Sequence, residues 1–109
     1  MLSTHVLDTS TGRPAARIAV TLYAVDGGSR TLVATAETND DGRTPMPLAD
    51  PLARGTYELI FSVAPYFAAQ NVAAFYDEIT IRFRVDDATG KYHVPLLLSP
   101  WGYSTYRGS

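Results

Sequence analysis

Apolar and polar residues alternate along most of this chain, and the period of the alternation is two. The pattern is clearest in residues 17–25, 57–63 and 78–85. In the last of these segments the apolar side chains are Ile79, Ile81, Phe83 and Val85. Because successive side chains of a β-strand point to opposite faces, this period predicts strands with one face on a core and the other toward water.

Further strands are predicted where shorter stretches show the same alternation. They cover residues 4–7, 31–37, 92–99 and 103–106. Polar, glycine-containing turns separate the strands, and they lie at residues 26–29, 39–42 and 86–91. Glycine and asparagine supply the positive backbone angles that tight hairpin turns need.

Two other segments complete the predicted fold. Prolines crowd residues 45–51, which favours a loop or an edge strand, and residues 65–75 are the only stretch that looks helical. Pro65 would then lie in the first helical turn, where its missing N–H is tolerated. Short strands with frequent turns predict an all-β fold, an antiparallel β-sandwich of seven or eight strands with one short helix.

Composition supports a single globular domain over residues 1–109, since 46% of the residues are hydrophobic and 18% are charged. The net charge is −2 and the cations are scattered, so we expect no nucleic-acid partner. There is no cysteine, which suits a reducing cytoplasm. We see no secretion signal and no apolar run long enough for a membrane span, so we expect a cytoplasmic protein without a membrane partner.

The two histidines, His5 and His93, both fall in predicted strands. His5 shares a strand face with Ser3, and His93 shares one with Pro95. A buried imidazole is costly unless its ring nitrogens find partners. Each histidine is therefore either a hydrogen-bonded structural residue or an acid–base group, because imidazole exchanges protons near neutral pH. Their spacing does not show whether the two rings meet.

Two arginines have a similar pair of interpretations. Arg43 follows a glycine turn, and Arg107 lies in a tail that also carries Trp101, Tyr103 and Tyr106. Either guanidinium could be simply solvated, or it could offer a planar fork of donors to a carbonyl or carboxylate. Tails are normally polar and loose, whereas aromatic side chains favour burial. We therefore expect the tail to be fixed on the domain.

The sequence contains no motif for a metal or an organic cofactor. A catalytic zinc ion usually takes three protein ligands, and the two histidines lack a His-x-His or His-x-x-His spacing. A phosphate-binding loop, a dinucleotide fingerprint and a Gly-x-Ser-x-Gly elbow are also missing. We expect no metal and no cofactor.

Three separated motifs stand out along the chain. The most specific covers residues 92–109 and ends in Tyr-Arg-Gly-Ser. The second is Leu-Ser-Thr-His-Val-Leu-Asp at residues 2–8, followed by Gly-Arg-Pro at 12–14, and the third is Thr-Asn-Asp-Asp-Gly-Arg at 38–43. Together these motifs resemble those of the 5-hydroxyisourate hydrolase family, the transthyretin-related proteins of bacteria, and the resemblance spans essentially the whole chain. Asp77, where the family pattern has proline, departs from it outside these motifs.

The resemblance implies a set of site residues. The family's catalytic positions fall on His5, Arg43, His93 and Ser109. The two histidines would be the acid–base and water-orienting pair, Arg43 an electrostatic clamp, and Ser109 a group that positions substrate or water. Substrate would be bound by these four residues and by the rest of the signature ending, Tyr106, Arg107 and Gly108.

The resemblance also implies an activity and an assembly. The reaction would be the hydrolytic ring opening of 5-hydroxyisourate to 2-oxo-4-hydroxy-4-carboxy-5-ureidoimidazoline in urate degradation. The protein would be a transthyretin-like homotetramer, a dimer of dimers, with its sites in the channel between the dimers. Strand positions that face outward in one subunit would then line a pocket in the assembly.

Three alternatives remain open at the level of sequence. The first is a transthyretin-like module that binds a small ligand without catalysis. This is disfavoured because transthyretin lacks the set formed by His5, Arg43, His93 and the Tyr-Arg-Gly-Ser ending. The second is a structural or adhesive β-sandwich domain. The third is a zinc-dependent amidase that uses both histidines.

Overall fold

Two four-stranded β-sheets pack face to face and account for most of the chain. The computed structural model describes all 109 residues. Its elements, in chain order, are β1 (Leu2–Asp8), β2 (Arg13–Pro14), β3 (Ala19–Asp26), β4 (Ser29–Glu37), β5 (Gly55–Ser62), α1 (Ala64–Ala68), β6 (Glu78–Val85), β7 (Tyr92–Leu98) and β8 (Tyr103–Thr105). The predicted β-sandwich with one short helix is confirmed.

The strand order is β2-β1-β7-β8 in the first sheet and β4-β3-β5-β6 in the second. Neighbouring strands are antiparallel, with the exception of β1 and β7, which run parallel. The alternating pattern could not predict this pair, because alternation says which face a residue occupies and not which strand lies beside it. The tail forms β8 at the edge of the first sheet.

The core is formed by alternate side chains from both sheets. The largest fully buried residues include Leu2 of β1, Leu22 of β3, Phe61 of β5, Ile79 of β6 and Leu96 of β7. Burying one such side chain contributes about 1.5–3 kcal/mol. The alternation therefore fixes which face of each strand turns inward, and on β1 and β7 it turns both histidines outward.

The parallel pairing of β1 with β7 aligns the outward residues of the two strands. In this register Ser3 lies beside His93, and His5 lies beside Pro95. The four residues are consecutive outward positions on two adjacent strands. The two histidines, although far apart in the sequence, are thereby brought to one region of one sheet face.

The helix is shorter than predicted. It ends at Ala68, and Asn71 then adopts a left-handed conformation with φ of 56°, which a helix does not continue through. Pro65 does lie in the first turn, as predicted. No helix in this chain has the length and apolar character needed to cross a membrane.

Candidate active site

The turn before Arg43 is closed by hydrogen bonds at Asn39. The N–H of Asn39 donates to the Arg43 carbonyl at 2.8 Å, and the N–H of Gly42 donates to the Asn39 carbonyl at 2.9 Å. The Asn39 Oδ1 atom accepts the N–H groups of Asp41 and Arg43 at 2.9 and 3.2 Å. Arg43 therefore has a fixed backbone, while its guanidinium forms no ion pair within the chain.

This turn packs directly on β1 at His5. Arg43 and His5 form an antiparallel bridge, and the N–H of Val6 donates to the Gly42 carbonyl at 2.8 Å. Gly42 has φ of 73°, and a Cβ there would collide with the Val6 carbonyl and lie 3.3 Å from the His5 ring. Only glycine lets the turn come this close. The arginine and the first histidine are thus placed next to each other.

The second histidine is held by the neighbouring strand. The Ser3 Oγ atom lies 2.9 Å from the His93 Nδ1 atom, within hydrogen-bonding distance. Burial lowers the pKa of His93, as do the positive charge of Arg43 and the nearby His5, while a hydrogen bond to the Ser3 backbone opposes the fall. The His93 ring is therefore held neutral at pH 7, with an imidazole nitrogen available to accept a proton.

The tail reaches His93 from the other side. The N–H of Gly108 donates to the His93 carbonyl at 2.7 Å, and the two residues form an isolated bridge that extends the β7–β8 pairing. A Cβ at Gly108 would lie 2.6 Å from the His93 Cδ2 atom, so the bare glycine backbone packs on the imidazole. Ser109 follows Gly108 in the sequence and is therefore placed close to His93.

These groups surround an open cavity of 280 Å³ on the outward face of the first sheet. Its lining residues are Met1, Ser3, Arg43, Lys91, Tyr92, His93 and Ser109. A second cavity, of 200 Å³, shares Met1, Ser3 and Arg43 with the first. Small-molecule sites usually measure about 300–1,000 Å³, so a single chain provides a shallow part of such a site.

The rest of the signature ending lies elsewhere. The Arg107 guanidinium carbon is 4.4 Å from the centre of the Tyr92 ring, and the side chain donates to the Lys91 carbonyl at 3.4 Å. Arg107 and Tyr106 line a different cavity, of 470 Å³, at the open edge between β6 and the tail. In one chain these two residues do not line the cavity of His93. Their contact with substrate stays a prediction.

The structure therefore brings together most of the predicted site. His93, Arg43 and Ser109 line one cavity, His5 is bridged to Arg43, and Gly108 touches the His93 ring. Ser3 and Lys91 also line this cavity and were not predicted. The only sequence signal for Ser3 was its place on the strand face of His5, since its neighbour on β7 depends on the register.

The chemistry of the cavity is that of acid–base and electrostatic catalysis. It combines a neutral imidazole, that of His93, with a guanidinium that has no carboxylate partner. The second imidazole, that of His5, lies outside the cavity lining, on the residue bridged to Arg43. Nowhere in the chain do three or more histidine, cysteine or carboxylate side chains gather in a group that could hold a metal ion. Imidazoles can move protons, and the guanidinium can bind a developing oxyanion.

Comparison with known proteins relates this arrangement to a family. The sequence profile described as the HIUase/Transthyretin family matches residues 2–108. This chain belongs to that family. A 5-hydroxyisourate hydrolase from Deinococcus radiodurans is 55% identical, over 99% of this chain and 95% of the relative.

Solved structures of family members have the same fold. The 5-hydroxyisourate hydrolase of Klebsiella pneumoniae matches with a TM-score of 0.84 and 38% identity, over 99% of this chain and 98% of that one. Sea bream transthyretin, in complex with thyroxine, matches with a TM-score of 0.90 and 26% identity, over 98% of this chain and 93% of that one. The backbone fold is thus shared by both proteins, and this chain is more similar in sequence to the hydrolase than to the transthyretin.

Proposed function

We propose that this protein hydrolyses 5-hydroxyisourate to 2-oxo-4-hydroxy-4-carboxy-5-ureidoimidazoline, a step of urate degradation. The observation that carries the proposal is the meeting of His5, Arg43, His93 and Ser109, from four separate segments, on one face of one sheet. The high identity to a hydrolase of that name supports the choice of substrate.

In the proposed mechanism the chain supplies a base, a clamp and an acid. Neutral His93 takes a proton from water, and the resulting hydroxide attacks a carbonyl carbon of the six-membered ring. The guanidinium of Arg43 stabilises the oxyanion that forms. When the ring C–N bond breaks, the carbon becomes a carboxyl group and the leaving nitrogen takes a proton, with His5 orienting water or passing that proton. Ser109 positions the substrate or the water.

We further propose that the working form is a homotetramer, a dimer of dimers. The two histidines are only half-buried in one chain, and the cavity lined by His93 is open. A second sheet face laid over it would exclude water and strengthen the electrostatic interactions inside. Sedimentation or light scattering at assay concentration tests the assembly, and an active monomer would contradict it.

An ultraviolet assay tests the function directly. Urate oxidase generates 5-hydroxyisourate from urate, and its absorbance decay is followed with and without micromolar protein. We expect faster decay with the protein, including after exhaustive chelation. An unchanged decay rate would contradict the hydrolase and favour a ligand-binding module. Loss of activity on chelation would instead support the zinc-dependent amidase.

The activity is expected to fall on acidification, because protonated His93 cannot act as a base. Since burial, Arg43 and His5 lower its pKa from the usual 6.5, the acid limb of kcat/KM should have its midpoint below pH 6.5. The kcat/KM profile reports groups in the free enzyme, and it is measured after subtracting the spontaneous decay at each pH. A midpoint above 6.5 would argue against His93 as the base.

Gly108→Ala is expected to reduce activity by up to about 10²-fold, the cost of moving a reacting group by roughly 1 Å. The new Cβ would lie 2.6 Å from the His93 ring, so the ring and the tail must move apart. Gly102→Ala is the matched control in the same tail, because its Cβ would meet its nearest atom, the Ser99 Oγ, at 3.8 Å. Equal activity of the two variants would show that the packing of Gly108 on the His93 ring does not matter for catalysis.

A further inference from the structure

Ser3, like Lys91, lines the cavity of His93 although neither the family resemblance nor the sequence pattern assigned it to the site. It lies on β1, two residues before His5, and faces outward beside His93 on β7. The two residues are 90 positions apart in the sequence. Their pairing follows from the parallel register, so a shift of one residue would turn Ser3 to the core and break the contact.

The hydrogen bond between Ser3 and His93 makes the two ring nitrogens of His93 unequal, because it involves only one of them. The Ser3 Oγ atom is 2.9 Å from Nδ1, and the Ser3 backbone also lies within hydrogen-bonding reach of the His93 ring. Its hydroxyl makes no other hydrogen bond in the chain. Because Nδ1 is occupied, Nε2 is the nitrogen left for substrate or water.

The basic side chains near the His93 ring favour one of its two neutral tautomers. Arg43 lines the same cavity, and a guanidinium carries only donors. Lys91, the second basic side chain that lines the cavity, is also a donor. An Nε2 lone pair suits these neighbours better than an Nε2–H group does. The ring proton then resides on Nδ1 and is donated to the Ser3 hydroxyl oxygen, which can accept it.

We infer that Ser3 is a positioning residue, which holds His93 as the Nδ1–H tautomer and leaves Nε2 as the proton acceptor. The tautomer and orientation of a working histidine are commonly set by the hydrogen bond made by its other nitrogen. Ser3 thus acts through His93, and it differs from the residues proposed to act on the substrate directly.

The kinetic test removes the hydroxyl and then restores it. Ser3→Ala should lower kcat by about 10- to 100-fold, the range found when the hydrogen-bond partner that orients a metal-bound histidine is removed, with KM changing less. Ser3→Thr keeps the hydroxyl and should recover most of the rate. Ser104→Ala is the matched control, because Ser104 is exposed on β8 of the same sheet and should leave kcat unchanged.

A spectroscopic test separates positioning from a direct role. Nitrogen-15 NMR of the two imidazoles, assigned with a His5→Gln variant, should show a protonated Nδ1 and an unprotonated Nε2 for His93 in the wild-type protein at pH 8. In Ser3→Ala the two His93 signals should move toward averaged positions as the tautomers mix. Thermal unfolding and gel filtration establish that each variant is folded and assembled like the wild type.

The kinetic arm rests on the proposed hydrolysis, whereas the NMR arm does not. If the wild-type protein fails to accelerate decay of 5-hydroxyisourate, the proposed function fails while the tautomer is still measured. A wild-type kcat in Ser3→Ala would overturn the inference. So would a lowered kcat with an unchanged tautomer, since Ser3 would then act on the substrate itself.

Discussion

His93→Gln is expected to lower kcat/KM by about 10²–10⁴-fold, the usual contribution of a positioned acid–base group. His93 is the histidine whose pKa is held low, by burial first and then by Arg43 and His5, so it is unprotonated at neutral pH. Glutamine keeps a polar side chain that can still bond to Ser3 but cannot take a proton. The measurement is the decay of 5-hydroxyisourate over a range of protein concentrations.

The same measurement on His5→Gln assigns the two histidines. If His93 is the base and His5 orients water or donates a proton, the His93 variant should lose the acid limb of the pH profile while the His5 variant retains it. Both variants must unfold at a temperature close to that of the wild-type protein. Retention of near wild-type kcat/KM in His93→Gln would exclude His93 from catalysis.

Much of the fold was predictable because it depends on local pattern. On β6 the alternation of Ile79, Ile81, Phe83 and Val85 predicts the inward face, and the bounds predicted there match the observed strand. The predicted length of the helix was wrong. The helix ends before Asn71, which adopts a left-handed conformation, and the sequence does not reveal this because asparagine is one of several residues that tolerate that conformation. Periodicity therefore predicts faces better than it predicts element ends.

The site was less predictable, because its residues meet through strand pairing. Nothing in the spacing of His5 and His93 shows that β1 and β7 are parallel neighbours, so their proximity was implied by the family resemblance alone. Ser3 illustrates the same limit, since its partner is set by register. By contrast, the turn that presents Arg43 was readable, because its Asn-Asp-Asp-Gly sequence supplies the side-chain acceptor and the positive φ the turn uses.

The tail shows how a family motif can combine two kinds of residue. Gly108 and Ser109 lie at the His93 cavity, whereas Arg107 stacks on the opposite side of β7, over the Tyr92 ring. A cation over an aromatic ring contributes about 0.5–1 kcal/mol when exposed. In a single chain, Arg107 is therefore placed to anchor the segment that delivers the last two residues.

Arg43→Ala is expected to lower kcat by about 10²–10³-fold, the usual loss when one donor to a developing oxyanion is removed. Arg43 is suited to this role because its backbone is fixed by the Asn39 turn and its guanidinium has no carboxylate to neutralise it. Arg43→Lys should recover only part of the rate, since an ammonium group lacks the planar fork of donors.

Arg82→Ala is the matched control for this loss of a guanidinium. Arg82 lies on β6 of the other sheet, exposed and 3.8 Å from Glu58, so its removal changes the net charge equally without touching the cavity. We expect wild-type kcat for Arg82→Ala. If both alanine variants lose activity equally, the effect comes from the overall field of the protein. A different outcome is that Arg43→Ala alone raises KM and keeps kcat. The guanidinium would then bind the substrate in its ground state and would not stabilise the oxyanion. The reason is that only an interaction that strengthens in the transition state changes kcat.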